Sequence, residues 1–271
     1  MQNFLPTPSM HLHPLSKTIP AVVLDWAGTM VDHGCCAPFI ALRRVLARHG
    51  FSAPDERLRQ GMGRAKKEHL RGLLALHGAE TAVEEIYPEL EHEIFSELQA
   101  HAGLIAGARE FALGLAEQGI KIGTTTGYTQ AMMNVVAASA ARQGYTPDVI
   151  ITPDQVPAGR PHPYMIYANA LQLGVWPLWR CVKIGDTPDD IAEGRNAGMW
   201  TVAVALTGNA FGLSRLETES LPAPQRQIKS EAARSLLTDA GADYVIDSVA
   251  EAGPILEQIA SRIRSGDKPR S

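Results

Sequence analysis

Asp25 carries the clearest chemical meaning in this chain. It follows the apolar run Ala21-Val22-Val23-Leu24 and opens the segment Asp25-Trp26-Ala27-Gly28-Thr29. A short β-rich run that ends in an acid and breaks at glycine puts a carboxylate at the carboxyl end of a buried strand. In open α/β sheets that is where ligands bind. A carboxylate there can attack phosphorus, hold a cation, or do both. Two residues on, Ala27 cannot donate a proton. A leaving group expelled here must therefore be activated by something other than an acid of this loop.

Three further stretches offer complementary groups. Gly123-Thr124-Thr125-Thr126-Gly127-Tyr128 runs from a strand pattern into a helix pattern. A hydroxyl followed by glycine at a helix start presents an O–H and free N–H groups to an anion, although an ordinary N-cap threonine looks the same. Pro157-Ala158-Gly159-Arg160-Pro161 supplies a guanidinium suited to phosphate oxygens, although a lone loop arginine is commonly surface. In Gly185-Asp186-Thr187-Pro188-Asp189-Asp190, Asp186 stands at a strand tip and Asp190 one helical turn later. Carboxylates from two strand tips suit a hard cation such as Mg²⁺. Read alone, Asp189 and Asp190 are also the acids that a helix N-terminus favours.

The elements that must position these groups alternate. Strand patterns occupy 21–25, 120–125, 149–152, 181–185, 201–205 and 244–246, and helix patterns occupy 107–118, 128–142, 163–173, 188–197 and 249–262. With such short links they predict an α/β fold, a Rossmann-like parallel sheet with helices on both faces. Between 36 and 102 no strand pattern appears. Helices are expected there at 38–49, 54–60, 64–77 and 81–99, the last with a kink point at Pro88. An all-helical insertion that leaves the chain at the candidate site is placed to act as a lid; the alternative is a helical layer packed elsewhere. The expected organisation is a flexible arm over 1–19, an α/β core domain from 20–35 and 103–271, and a helical cap domain over 36–102.

Composition narrows the partners. With 271 residues and a formal net charge of -4, the chain has room for a full core and lacks the basic excess of a nucleic-acid binder. Three cysteines, Cys35, Cys36 and Cys181, make neither a disulfide framework nor a zinc spacing. They fit a reducing compartment, so a cytoplasmic location is expected. Residues 1–20 hold Pro6, Pro8, Pro14 and Pro20 without a continuous apolar stretch, which reads as a loose arm rather than a signal peptide. No run is long enough to span a membrane. His11 and His13 have no third metal ligand near them in sequence.

Taken in order, Asp25, Thr126, Arg160 and Asp186 with Asp190 resemble the four motifs of the haloacid dehalogenase superfamily over 20–34 and 104–262. Two departures stand out: Ala27 replaces the acid of its phosphatases, and Arg160 replaces the usual lysine. Both are what the phosphonoacetaldehyde hydrolase (phosphonatase) family looks like. The resemblance rests on Asp25–Thr29, Met62-Gly63-Arg64-Ala65-Lys66-Lys67-Glu68-His69, Thr125–Tyr128, Pro157–Pro161, Gly185–Thr187 and Arg195-Asn196-Ala197-Gly198-Met199-Trp200. It covers nearly all of the chain except the arm and the stretch near 207–235.

The resemblance implies Mg²⁺-dependent splitting of the P–C bond of phosphonoacetaldehyde, a small phosphonate formed in 2-aminoethylphosphonate degradation. Asp25 would be the nucleophile. Mg²⁺ would be held by Asp25, the backbone carbonyl of Ala27 and Asp186, with Asp190 in support. Thr126, Gly127 and Arg160 would meet the phosphonate oxygens. A cap lysine would form an imine with the aldehyde, so that electrons leaving phosphorus have an acceptor. Spacing leaves Lys66 and Lys67 both open, and an exposed lysine is the ordinary reading of either. His69 shares a helix face with Lys66, not with Lys67; the resemblance selects Lys66, and His69 becomes its proton shuttle. Cys35, Met62 and Tyr128 match family positions near the site, but each also reads as packing. The family further implies a homodimer joined through its caps. The competing expectations are a phosphatase or phosphomutase without imine chemistry, disfavoured by Ala27, and a phosphorylated receiver-like domain, disfavoured by the insertion and Arg160.

Overall fold

The computed structural model describes residues 15–270; most of the expected arm, with His11 and His13, lies outside them. The arm's last five residues are not loose. Leu15 and Ile19 are buried, and the Arg180 guanidinium donates to the carbonyl of Thr18 (2.9 Å). The two apolar side chains at 15 and 19, four residues apart, anchor this end to the sheet.

The strands are β1 (Ala21–Leu24), β2 (Lys121–Thr125), β3 (Val149–Ile151), β4 (Val182–Gly185), β5 (Trp200–Val204) and β6 (Tyr244–Ile246). They form one sheet in the order β3-β2-β1-β4-β5-β6, with every pairing parallel. The central strands β1 and β4 are wholly buried, as a sheet covered on both faces requires. Register sets Leu24 opposite Thr124 and Ile184. The next residues of three strands, Asp25, Thr125 and Gly185, therefore emerge together at one edge. Since β2 lies on one side of β1 and β4 on the other, that edge is the point where strand order reverses and ligands bind.

The insertion comprises α1 (Cys36–Arg48), α2 (Asp55–Arg59), α3 (Lys66–Ala75) and α4 (Val83–His101). Pro88 sits inside α4, which is assigned as one continuous helix. α1 packs along α4, and one hydrophobic cluster runs from Val22 and Leu24 of the sheet to Leu42 and Leu90 of the insertion. The two chain crossings between core and insertion lie side by side. Val31 bridges Leu104, the Asp32 N–H donates to the Gly103 carbonyl (3.2 Å) and the Ile105 N–H to that of Met30 (2.9 Å). Asp32 then accepts the Cys36 and Ala37 N–H groups at 2.9 and 3.0 Å, so a core carboxylate fixes the start of α1.

The layers over the sheet are completed by α5 (Ala108–Glu117), α6 (Gln130–Arg142), α7 (Tyr164–Leu173), α8 (Pro188–Asn196), α9 (Arg215–Ser220), α10 (Ala223–Asp239) and α11 (Ala252–Arg264). α9 and α10 fall in and just after the stretch near 207–235 that the family resemblance does not cover. α10 buries only Ala233 and Leu237, an apolar stripe too thin to show as a period. No helix among the described residues is long and apolar enough to cross a membrane.

Candidate active site

The site is assembled from four strand ends and one loop of the insertion. The Asp25 N–H donates to the Ile184 carbonyl (2.9 Å), which carries β1 one residue past its assigned end and holds the acid against β4. Gly28 follows at φ +82°, where a side chain would collide with Asp186 Oδ2 and Cys35 Sγ. Only glycine lets the first loop lie this close to Asp186. On the other flank, Gly127 packs against the backbone of Arg64, where a Cβ would strike the Arg64 carbonyl. That close approach brings the 61–65 segment down onto the sheet edge.

Asp25, Ala27, Cys35, Met62, Lys66, Thr126, Gly127, Tyr128, Arg160 and Asp186 line a single cavity of about 20 Å³. The space holds roughly one water. Asp190 lies just behind this lining. His69 does not face the cavity; it lines a separate groove with Gln60, Gly61 and Leu73.

The sheet half of the cavity is densely charged. Arg160 is buried, with Nη2 on Asp25 Oδ1 (2.6 Å), Nη1 near Asp190 Oδ1 (3.0 Å) and Nε on Glu193 Oε2 (3.0 Å). Burial opposes its charge, but Asp190, Asp25 and Glu193 together hold the guanidinium well above its ordinary pKa. For Asp190 burial is likewise outweighed, and Arg160 and Lys183 keep its carboxyl below the usual range. Asp25 and Asp186 behave oppositely. Burial raises both; Arg160 pulls Asp25 back in part, and Asp186 is pushed up further by Asp25 and Asp190.

That contrast is a test of fit for a cation. Asp25, Asp186 and Asp190 bring oxygens within 4.8 Å of one another. Asp190 spends its own on Arg160, Lys183 and Thr187. Asp186 Oδ2 accepts from Cys35 Sγ (3.2 Å) and the Asn209 N–H (2.7 Å), but its buried Oδ1 has no hydrogen-bond partner among the described residues. A pair of close, buried carboxylates with an orphaned oxygen suits a hard divalent ion.

The insertion half is built differently. Lys66 opens α3 and is 3 % exposed. Its Nζ donates to the Met62 carbonyl (2.5 Å) and lies 5.5 Å from the centre of the Tyr128 ring. Burial lowers its pKa to about 8, although Cys35 and Asp25 pull the other way. The neighbouring Lys67 points outward to Glu84 (2.6 Å). His69 is buried, and among the described residues neither ring nitrogen has a hydrogen-bond partner of normal geometry, the nearest backbone groups being those of Gln60 and Leu58. Burial first, and then the charge of Lys66, lower its pKa to about 3, so it is neutral. Cys35 and Tyr128 are both held well above their ordinary pKa by burial, and both stay protonated.

Several residues here were not singled out from sequence: Thr125, Lys183, Glu193 and Asn209. Lys183 gave no decisive signal, since Lys121 stands between Ile120 and Ile122 at the start of β2 and is exposed, whereas Lys183 between Val182 and Ile184 in β4 is buried. Glu193 shares a face of α8 with Asp190, three residues before it.

Residues 19–198 match the haloacid dehalogenase-like hydrolase family, and residues 157–252 match a second group of hydrolases of that kind. The phosphonoacetaldehyde hydrolase of Nitratidesulfovibrio vulgaris is 42% identical over 264 residues, spanning 93% of this chain and 94% of that protein. The enzyme of the same name from Bacillus thuringiensis is 42% identical over 254 residues, 89% of this chain and 96% of its own. A crystal structure of a phosphonoacetaldehyde hydrolase-like protein from Oleispira antarctica superposes with a TM-score of 0.90 at 33% identity, covering 98% of this chain and 100% of that one. A β-phosphoglucomutase from Clostridium difficile shares the fold at 16% identity and a TM-score of 0.69. Sheet order, strand-end carboxylates and these likenesses agree, and the chain is a hydrolase that belongs to the phosphonoacetaldehyde hydrolase family within the haloacid dehalogenase superfamily.

Proposed function

We propose that this enzyme hydrolyses the P–C bond of phosphonoacetaldehyde to acetaldehyde and phosphate through an imine on Lys66 and a phosphoryl group on Asp25. The observation that carries the reading is that Lys66 and Asp25 line one cavity, the amine from the insertion and the carboxylate from the sheet.

An alkyl carbanion is too poor a leaving group for an acid to rescue, and Ala27 offers no acid. Lysine changes the problem. With its pKa near 8, a usable fraction of Lys66 is neutral at physiological pH. His69, neutral and turned into the neighbouring groove, is too weak a base to keep the proton the ammonium must lose, and its proposed part is to relay that proton toward solvent. The amine adds to the aldehyde carbon and water leaves, giving a protonated imine. Asp25 then attacks phosphorus in line. The P–C electron pair moves into the imine, and the organic fragment departs as a neutral enamine. Water cleaves the aspartyl phosphate. Protonation and hydrolysis of the enamine release acetaldehyde and restore Lys66.

Arg160, the Thr126 hydroxyl and the Gly127 N–H take the phosphonate oxygens, without which two anions could not approach. Mg²⁺ would be held by Asp25, the Ala27 carbonyl and Asp186, with Asp190 behind them; when bound it neutralises charge on the transferring group. Met62 fixes the Lys66 amine through its carbonyl, and Tyr128 and Cys35 wall the aldehyde off from water. The insertion, residues 36–102, is the cap domain whose movement admits the substrate. By family pattern we also propose a cytoplasmic homodimer joined through its caps. It would act on the aldehyde left by transamination of 2-aminoethylphosphonate, with no nucleic acid or membrane partner.

The test compares phosphate release from phosphonoacetaldehyde and from p-nitrophenyl phosphate, alongside borohydride trapping. We expect turnover of the phosphonate and a reduced two-carbon adduct on Lys66. Turnover of the ester alone, or an adduct on Lys67, would overturn the assignment.

A further inference from the structure

Behind the cavity lie two charges, Lys183 and Glu193, that the mechanism above leaves unused. Lys183 on β4 is fully buried, with Nζ 2.9 Å from Asp190 Oδ1, 3.2 Å from Glu193 Oε2 and 2.8 Å from the Thr125 hydroxyl. Glu193 Oε2 also accepts from Arg160 Nε (3.0 Å) and from the Thr125 hydroxyl (2.9 Å). Arg160 Nη2 donates to that same hydroxyl at 2.8 Å. Two cations and two carboxylates, Arg160, Lys183, Asp190 and Glu193, thus close a neutral ring around one threonine oxygen. The hydroxyl donates once and accepts twice, which uses its full capacity. Beyond the ring, Arg160 Nη2 reaches to Asp25. Neither Lys183 nor Glu193 lines the cavity.

We propose that Glu193 is a positioning residue that fixes the orientation of Arg160, with Lys183 as its counter-charge. The proposal rests on the reading that Arg160 meets the phosphonate. An arginine side chain has many rotamers, and its planar fork prefers to grip a carboxylate with two nitrogens. Unheld, the Arg160 fork would close on Asp25 and quench the nucleophile. Glu193 prevents this by taking Nε, so that Asp25 is met by Nη2 alone while Nη1 turns to Asp190 and to the Gly63 carbonyl of the insertion (3.4 Å), the contact a phosphonate oxygen would replace. Lys183 keeps the arrangement compatible with an anionic substrate. Without it, Asp25, Asp190 and Glu193 would crowd a single cation and repel the phosphonate.

Glu193→Gln keeps the shape of the side chain and removes its charge. With full-length enzyme and Mg²⁺ present, kcat/KM for phosphonoacetaldehyde should fall, and the inhibition constant of inorganic phosphate should rise, each about tenfold to a hundredfold. Loss of one member of a buried ion pair can cost the fold. The double variant Lys183→Met with Glu193→Gln removes the charges together and should stay folded, yet remain as impaired as the single one. A folded Glu193→Gln with unchanged phosphate inhibition overturns the proposal. So does a double variant that regains kcat/KM together with thermal stability, because the pair would then serve stability alone. Arg160→Ala is the reference. If it loses phosphate binding while the Glu193 variants do not, only this proposal fails. If Arg160→Ala binds phosphate normally, the wider reading of Arg160 fails with it.

Discussion

Two buried cations face one cavity, and the protein treats them in opposite ways. Arg160, on the sheet side, touches Asp25, Asp190 and Glu193 and is held well above its ordinary pKa. Lys66, on the insertion side, has a backbone carbonyl and an aromatic ring for company and falls to about 8. Both are equally dry. Burial alone penalises either charge, and what differs is the number of carboxylates within contact distance. The lesson is that one cavity can hold a permanent cation for an anion's oxygens and an amine near neutrality for a carbonyl, provided the two sit on different structural units. The sheet edge gathers carboxylates because the ends of β1 and β4 and the first turns of α8 converge there. The insertion reaches in with a loop that carries none.

Variants can break this contrast. The largest effect is expected from Asp25→Ala, which should abolish phosphate release while borohydride still traps substrate on Lys66; loss of trapping as well would show that the halves do not act separately. Exchanging the cations comes next. Lys66→Arg keeps charge but cannot form a stable imine, and turnover should fall roughly a thousandfold or more, about 4 kcal/mol of barrier. Arg160→Lys keeps charge on the sheet side but loses the fork, with an expected loss of about tenfold to a hundredfold, read as kcat/KM.

Titration sharpens the contrast further. The amine is reactive when neutral, so kcat/KM should drop about tenfold per pH unit below the Lys66 value of about 8 and level off above it. An ordinary lysine in the unfolded chain holds its proton to higher pH, so stability should rise between that value and the ordinary one near 10.5. A flat rate profile from pH 6 to 9 would remove the neutral amine from the mechanism. The smallest effect is expected from Arg64→Gln. Its pair with Asp189 (3.0 Å) joins insertion to core, but the arginine is half exposed. Such pairs contribute under about 1 kcal/mol, so KM should shift less than about fivefold.

Much of the site was legible one residue at a time. Asp25, Thr126 and Asp186 each follow a strand pattern, and a parallel sheet brings strand ends together whatever the loops do. Arg160 follows the third strand in the same way. Other choices were not local. Lys66 and Lys67 are chemically identical neighbours, and only the packing of α3 buries one and turns the other to Glu84. His69 shares the Lys66 face by spacing, yet its ring lines another groove, with Gln60, Gly61 and Leu73. α10 was invisible because its contact with the sheet is narrow.

By itself the sequence determined which groups exist and which sheet edge they share, because strand periodicity and glycine breaks act over a few residues. Only the tertiary structure decided their state of charge. Lys66 is brought near neutrality, and Arg160 becomes a fixed cation, through the carboxylates and the dry walls that distant segments bring to them, and no local pattern records that distance.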